Sequence, residues 1–176
     1  MIFTEQQIKE ACERIAPKYG LDPTLIRALC KQESAHDKNG NYLADIGRPE
    51  TNYGYKYVFK KYNLATTSED LLSCSFGVMQ CMGDALYDLK FFDFYFNQCD
   101  QGIKIILNNP LSEFAIPSAI DHFVENLDWM IDFGCQWFKK KLNQGSGDVF
   151  KGLCNWNGDQ TGKYANEVLA KQKALM

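Results

Sequence analysis

One stretch constrains this chain more than any other: Asp22-Pro23-Thr24-Leu25-Ile26-Arg27-Ala28-Leu29-Cys30-Lys31-Gln32-Glu33-Ser34-Ala35. It opens as helices open, with an aspartate able to cap free backbone amides and a proline suited to the first helical position. Leu25, Ile26, Ala28, Leu29 and Cys30 supply an apolar face. Glu33 lies four residues after Leu29, seven after Ile26 and eight after Leu25. On a helix those spacings align its carboxylate with the apolar stripe. The turn-rich His36-Asp37-Lys38-Asn39-Gly40-Asn41 follows, so Glu33 is expected near a helix C-terminus, half inside the core. Burial and the negative end of the helix dipole both disfavour its charged form, the direction a general acid working near neutral pH requires. A bland alternative stands beside this one: a solvated last-turn glutamate, or one paired with Lys31 or Arg27.

At 176 residues the chain is long enough for one sizeable core and is read as a single domain, 1–176. A net charge of −3 without a basic run argues against a nucleic-acid surface, and no apolar stretch reaches membrane-spanning length. Met1-Ile2-Phe3-Thr4-Glu5 has neither a basic nor an apolar leader region, so no signal peptide is expected. The seven cysteines form no Cys-x-x-Cys pair, and His36 and His122 are not spaced as zinc ligands relative to them. Cys12, Cys30 and Cys135 fall on apolar helix stripes. The expectation is synthesis in a reducing cytoplasm, with neither metal nor cofactor.

A capping box at Thr4-Glu5-Gln6-Gln7 starts a helix carrying Ile8, Ala11, Cys12 and Ile15, ended by Gly20. Residues 41–73 show no clean period. They are rich in tyrosine and broken by Gly47, Pro49 and Gly54, which points to irregular structure or a small hairpin, and Ser68 begins a short helix. Ser73 to Gly83 is small, apolar and bracketed by glycine, as where backbone passes close to something else. The run Phe91 to Phe96 fits either period, and Ile103 to Leu107 reads as helix. One long helix is expected from about Ser118 to Leu142, then a short one from Asp148 through Leu153. A turn is expected at Asn155-Trp156-Asn157-Gly158-Asp159, and a last helix from Tyr164. The fold class is mainly α.

Three segments, in this order and spacing, resemble the soluble lytic transglycosylases of the lysozyme superfamily. They are Gln32-Glu33-Ser34-Ala35, Ser75-Phe76-Gly77-Val78-Met79-Gln80-Cys81-Met82, and Trp156-Asn157-Gly158 followed by Tyr164-Ala165-Asn166-Glu167-Val168-Leu169. The resemblance spans residues 10 to 170, and the Gly-Val-Met-Gln-Cys-Met-Gly phrase is similar to phage or mobile-element members. It implies a lysozyme-like, two-lobed domain with a cleft. The implied activity is cleavage of the β-1,4 bond between N-acetylmuramic acid and N-acetylglucosamine in peptidoglycan, leaving a 1,6-anhydromuramic end. The family's catalytic glutamate falls on Glu33. Ser75, Gln80 and Met82 would line the sugar sites, together with Asn157. Trp156 stands where the family has tyrosine, keeping an apolar face without the phenol hydroxyl. Tyr164 falls on the late cleft tyrosine, whose hydroxyl would orient Glu33 or the muramyl N-acetyl group. The implied partner is the peptidoglycan glycan strand, met by a monomer acting on the cell wall, either within a virion or as part of a secretion apparatus.

Two chemistries then stay open. In the first, Glu33 protonates the leaving oxygen, the substrate's own N-acetyl carbonyl supports C1, and Glu33 as a base takes the C6 hydroxyl proton. In the second, a hydrolase (a muramidase), a further carboxylate lies across a water-sized gap of roughly 6.5–9.5 Å. Asp37, Asp45, Glu50 and Glu69 are its candidates, with Glu50 foremost. A third reading, a non-catalytic wall-binding or virion structural protein, is disfavoured by the intact Glu33 on its apolar helix.

Overall fold

The computed structural model describes residues 1–44, the backbone of 48–49, and residues 71–176. Within these the protein is mainly helical with small antiparallel sheets. Helix α1 (Glu5–Ile15) begins at the expected capping box, with Thr4 Oγ1 accepting from Gln7 N and Gln7 Oε1 accepting from Thr4 N. A 3-10 turn, Ala16–Tyr19, carries the chain into Gly20, and helix α2 runs Pro23–Glu33 under the Asp22 cap. Its buried residues are the predicted stripe, Leu25, Ile26, Ala28, Leu29 and Cys30.

Strands β1 (Ile2–Phe3), β2 (Ala35–His36) and β3 (Tyr42–Leu43) form one sheet in the order β1-β3-β2. The turn after Glu33 is therefore a hairpin, with His36 paired to Tyr42. A second sheet joins β4 (Arg48–Pro49), β5 (Cys74–Phe76) and β6 (Cys81–Met82), Ser75 lying opposite Met82. Irregular structure or a small hairpin is expected for 41–73; the two strands described there, β3 and β4, lie in different sheets and pair with strands outside the segment. The tyrosine-rich remainder and the helix from Ser68 lie outside the described residues, apart from a helical turn at Leu71 and Leu72.

Helices α3 (Gly83–Asp88), α4 (Phe91–Gln98), α5 (Gln101–Leu107), α6 (Ala115–Glu125), α7 (Leu127–Gln144), α8 (Val149–Asn157) and α9 (Lys163–Leu175) complete the order. The aromatic run at 91–96 is helix. The single long helix expected over 118–142 is two. Asn126 leaves helical geometry (φ −109°, ψ 100°) and its side chain accepts from Trp129 N, closing α6 and opening α7. Apolar residues keep helical spacing from Ile120 through Leu127 to Leu142 across this break, which hid it. Helix α8 also runs on through the residues expected to form a turn, and stops at Gly158 in left-handed geometry. Trp156 is thus a helical residue with a fixed direction.

The buried side chains form one contiguous cluster from Phe3 to Val168. Close backbone approach does occur at the glycine-bracketed segment. A Cβ on Gly77 would fall 2.5 Å from Met130 Sδ, and one on Gly134 of α7 would fall 2.3 Å from Met79 Sδ. These two glycines let the 77–80 turn lie directly on α7. No helix among the described residues is long and apolar enough to cross a membrane.

Candidate functional site

Glu33 is the last residue of α2 and is half-buried. Its Oε1 accepts from Trp156 Nε1 at 3.0 Å and from the Tyr164 hydroxyl. The donors come from two further helices, α8 and α9. Three segments far apart in the chain therefore meet at one carboxylate oxygen. Arg27, the basic partner considered for Glu33, points elsewhere: its Nε donates to Glu5 at 2.5 Å. Lys31 is exposed.

Each donor is held from behind. The Trp156 ring meets Phe138 of α7 edge-on, at a centroid distance of 5.9 Å. Asp159 braces the start of α9: Oδ2 accepts from Tyr164 N at 2.8 Å, and Oδ1 from Thr161 N at 2.7 Å and its hydroxyl at 2.6 Å. Those bonds, the Thr161 hydroxyl first, keep the Asp159 carboxyl below its ordinary range. Burial, and then the negative charge of Glu33 beside it, push the Tyr164 phenol far up, so it stays protonated and donates.

The middle segment closes the other side. Ser34, buried just past Glu33, donates its hydroxyl to Val78 O at 2.9 Å. Cys81 is buried, and its thiol is pushed up to about 12, first by burial and then by the charge of Glu33. Thiols at this depth serve as small hydrophobes. The Ser75 hydroxyl, 2% exposed, donates to Gln80 Oε1 at 2.9 Å, and Gln80 Nε2 donates to Gly77 O at 2.8 Å. Ser75 and Gln80 thus brace the turn on which Val78 and Cys81 sit, with Gln80 itself at φ 47°. Met82 is half-buried at the start of α3, and Asn157 is exposed at the end of α8.

Of the second carboxylates considered, Asp37 is committed to its hairpin turn. Its Oδ1 accepts from Asn39 N (2.8 Å) and Asn41 N (2.9 Å), and its Oδ2 from Asn41 Nδ2 (3.0 Å). The Asn41 bonds lead in holding its carboxyl below the usual range. Asp45, Glu50 and Glu69 lie outside the described residues. Cys12, Cys30 and Cys135 are buried as expected, none of the seven cysteines is in a disulfide, and no cluster among the described residues could hold a metal ion.

Two roles were missed from sequence. Trp156, expected from its side chain to offer an apolar face without a phenol hydroxyl, donates to Glu33 through its indole, and Ser34 ties α2 to the middle segment. The first was hidden because placing 156 in a turn left its ring without a direction. The second had a signal, a serine just past a helix end, whose partner only the fold reveals. No family model, curated protein or solved structure matches this chain.

Proposed function

We propose that this protein is a peptidoglycan lytic transglycosylase with Glu33 as its one acid and base, in a lysozyme-like, two-lobed fold whose cleft runs past that residue. The observation that carries the reading is the meeting at Glu33 Oε1 of Trp156 Nε1 and the Tyr164 hydroxyl, from two helices more than a hundred residues away in sequence. An indole N–H only donates. The oxygen facing Trp156 is therefore the acceptor oxygen in both protonation states, and the transferable proton sits on Oε2. Oε2 gives that proton to the leaving glycosidic oxygen while the substrate's N-acetyl carbonyl supports C1. The resulting carboxylate, steadied by Trp156 and Tyr164, takes the proton of the C6 hydroxyl, and O6 closes on C1. One proton leaves Glu33, one returns, and no water is consumed. Ser75 and Gln80 act by shaping the 77–80 turn, while Met82 and Asn157 flank the sugar path.

The test is a zymogram on purified peptidoglycan, with mass spectrometry of the released fragments. Wild type clears the wall and yields anhydromuramic ends, and Glu33→Gln clears nothing. Reducing ends in place of anhydro ends would turn the assignment to a hydrolase. Full activity in Glu33→Gln, or an inert wild type, would sink it.

A further inference from the structure

Helix α9 does more than deliver Tyr164. One stripe of it, Tyr164, Glu167, Val168 and Lys171, lies against α2, with Val168 buried between the polar members. Gln32 Nε2 donates to Glu167 Oε2 at 2.9 Å, and Lys171 Nζ donates to Gln32 Oε1 at 2.5 Å. At the far end Gln172 Nε2 donates to Asp22 Oδ2 at 2.7 Å. The helices thus run antiparallel, bound at both ends. A primary amide carries a donor and an acceptor at one tip, so it can answer a carboxylate and an ammonium one turn apart. A glutamate at 32 would repel Glu167, and a lysine would repel Lys171. Lys163 also lies beside this pair, its Nζ 4.0 Å from Glu167 Oε1.

We infer that Gln32 is a positioning residue for the reaction: its amide, clamped between Glu167 and Lys171, sets the register of α2 on α9 and so holds Glu33 against the Tyr164 hydroxyl and the Trp156 indole. The inference rests on the proposed role of Glu33. Gln32 is adjacent to it in the chain but points to a different neighbour, so it reaches the carboxylate only through the helix register. A misplacement of about 1 Å at a reacting group can cost about a hundredfold in rate.

The experiment uses the full chain with Gln32→Met, which keeps volume and loses both bonds, and Lys171→Met, which loses one bond on the outer helix. With cell wall as substrate, Gln32→Met lowers kcat about tenfold with KM within about twofold, and Lys171→Met moves the same way by less. The double variant Gln32→Met/Tyr164→Phe loses less than the product of the two single losses, because both act on the Tyr164 contact while the Trp156 contact remains. Without substrate, 19F NMR of protein carrying 5-fluorotryptophan shows the Trp156 resonance displaced in Gln32→Met and those of Trp129 and Trp137 in place. An unmoved Trp156 resonance, or kcat losses that multiply in the double variant, overturns the inference. Should Gln32→Met fail to fold, Lys171→Met with the same two readouts decides it. The NMR measurement needs no turnover, so it fails or succeeds independently of the wall-cleaving activity.

Discussion

Two regions of this molecule are held together by different means. Around Glu33, helices α2, α8 and α9 meet through directed polar contacts: Trp156 and Tyr164 on Glu33, Gln32 between Glu167 and Lys171, Ser34 on Val78. Around Phe91, helices α4, α6 and α7 meet through rings. Phe91 is fully buried and touches Phe123 and Phe133 at 5.0 Å, Phe92 at 5.7 Å and Trp129 at 5.9 Å, all edge-on. Polar contacts fix direction and contribute modestly to net stability, whereas aromatic burial contributes much stability and tolerates small shifts. The first region is thus built for geometry and the second for cohesion. The two should fail differently when cut.

The largest expected effect is in the aromatic region. Phe91→Ala removes the ring common to these contacts and is expected to destabilise the fold by about 3–5 kcal/mol. The check is a urea melt of the variant against wild type. If the proposed activity holds, the surviving folded fraction should keep it nearly unchanged per molecule, since the rings that Phe91 meets edge-on, Phe92, Phe123, Trp129 and Phe133, make none of the contacts at Glu33. A loss of activity well beyond the loss of folded protein would erase the distinction between the regions.

At the site the order of effects reverses. Tyr164→Phe keeps the buried ring and deletes the hydroxyl aimed at Glu33. Stability is expected to change by about 1 kcal/mol, while kcat falls about tenfold to a hundredfold. Single-turnover assays beside the same urea melt measure both. If the melt moves as far as that of Phe91→Ala while kcat holds, Tyr164 is a core residue and no more.

How much of this was legible in the sequence divides along the same line. The apolar stripes of α1 and α2, the Thr4 capping box and the place of Glu33 at a half-buried helix end were readable, because they depend on local spacing and helix geometry. The break at Asn126 carried a local sign, a capping side chain followed by an acidic first turn, but the apolar period ran through it and masked it. What could not be read is who meets whom. Nothing near Trp156 in the chain says that its N–H will find Glu33, and nothing near Gln32 says that its amide will sit between Glu167 and Lys171. These are contacts across more than a hundred residues, fixed by how α9 lies on α2. The resemblance placed Glu33 and Tyr164 together, and it left open what an indole at 156 would do.

The smallest effect belongs to a polar contact outside both regions, and it separates geometry from stability most finely. Glu5, at the start of α1, accepts from Arg27 Nε and from the Tyr42 hydroxyl, each at 2.5 Å. Burial alone would raise its carboxyl, but the bonds from Tyr42 and Arg27 outweigh burial and hold it below its ordinary value of 4.5. A carboxyl depressed in the folded state stabilises fully above its unfolded value, and the contribution fades as pH falls through the lower folded value. The glutamate side chain is 38% exposed, so solvent screening limits the contribution to about 1 kcal/mol or less. The measurement compares urea midpoints of wild type and Glu5→Gln from about pH 6 downward. The gap between them should be constant above the ordinary glutamate range and close below it. Tyr42 links α1 to β3, and Arg27 links α1 to α2, the helix that carries Glu33. If this pairing only adds cohesion, Glu5→Gln leaves kcat untouched at neutral pH. If kcat drops with the stability term, the geometry of the site reaches back along α2 to its first turns, and the directed region is larger than the contacts at Glu33 alone define.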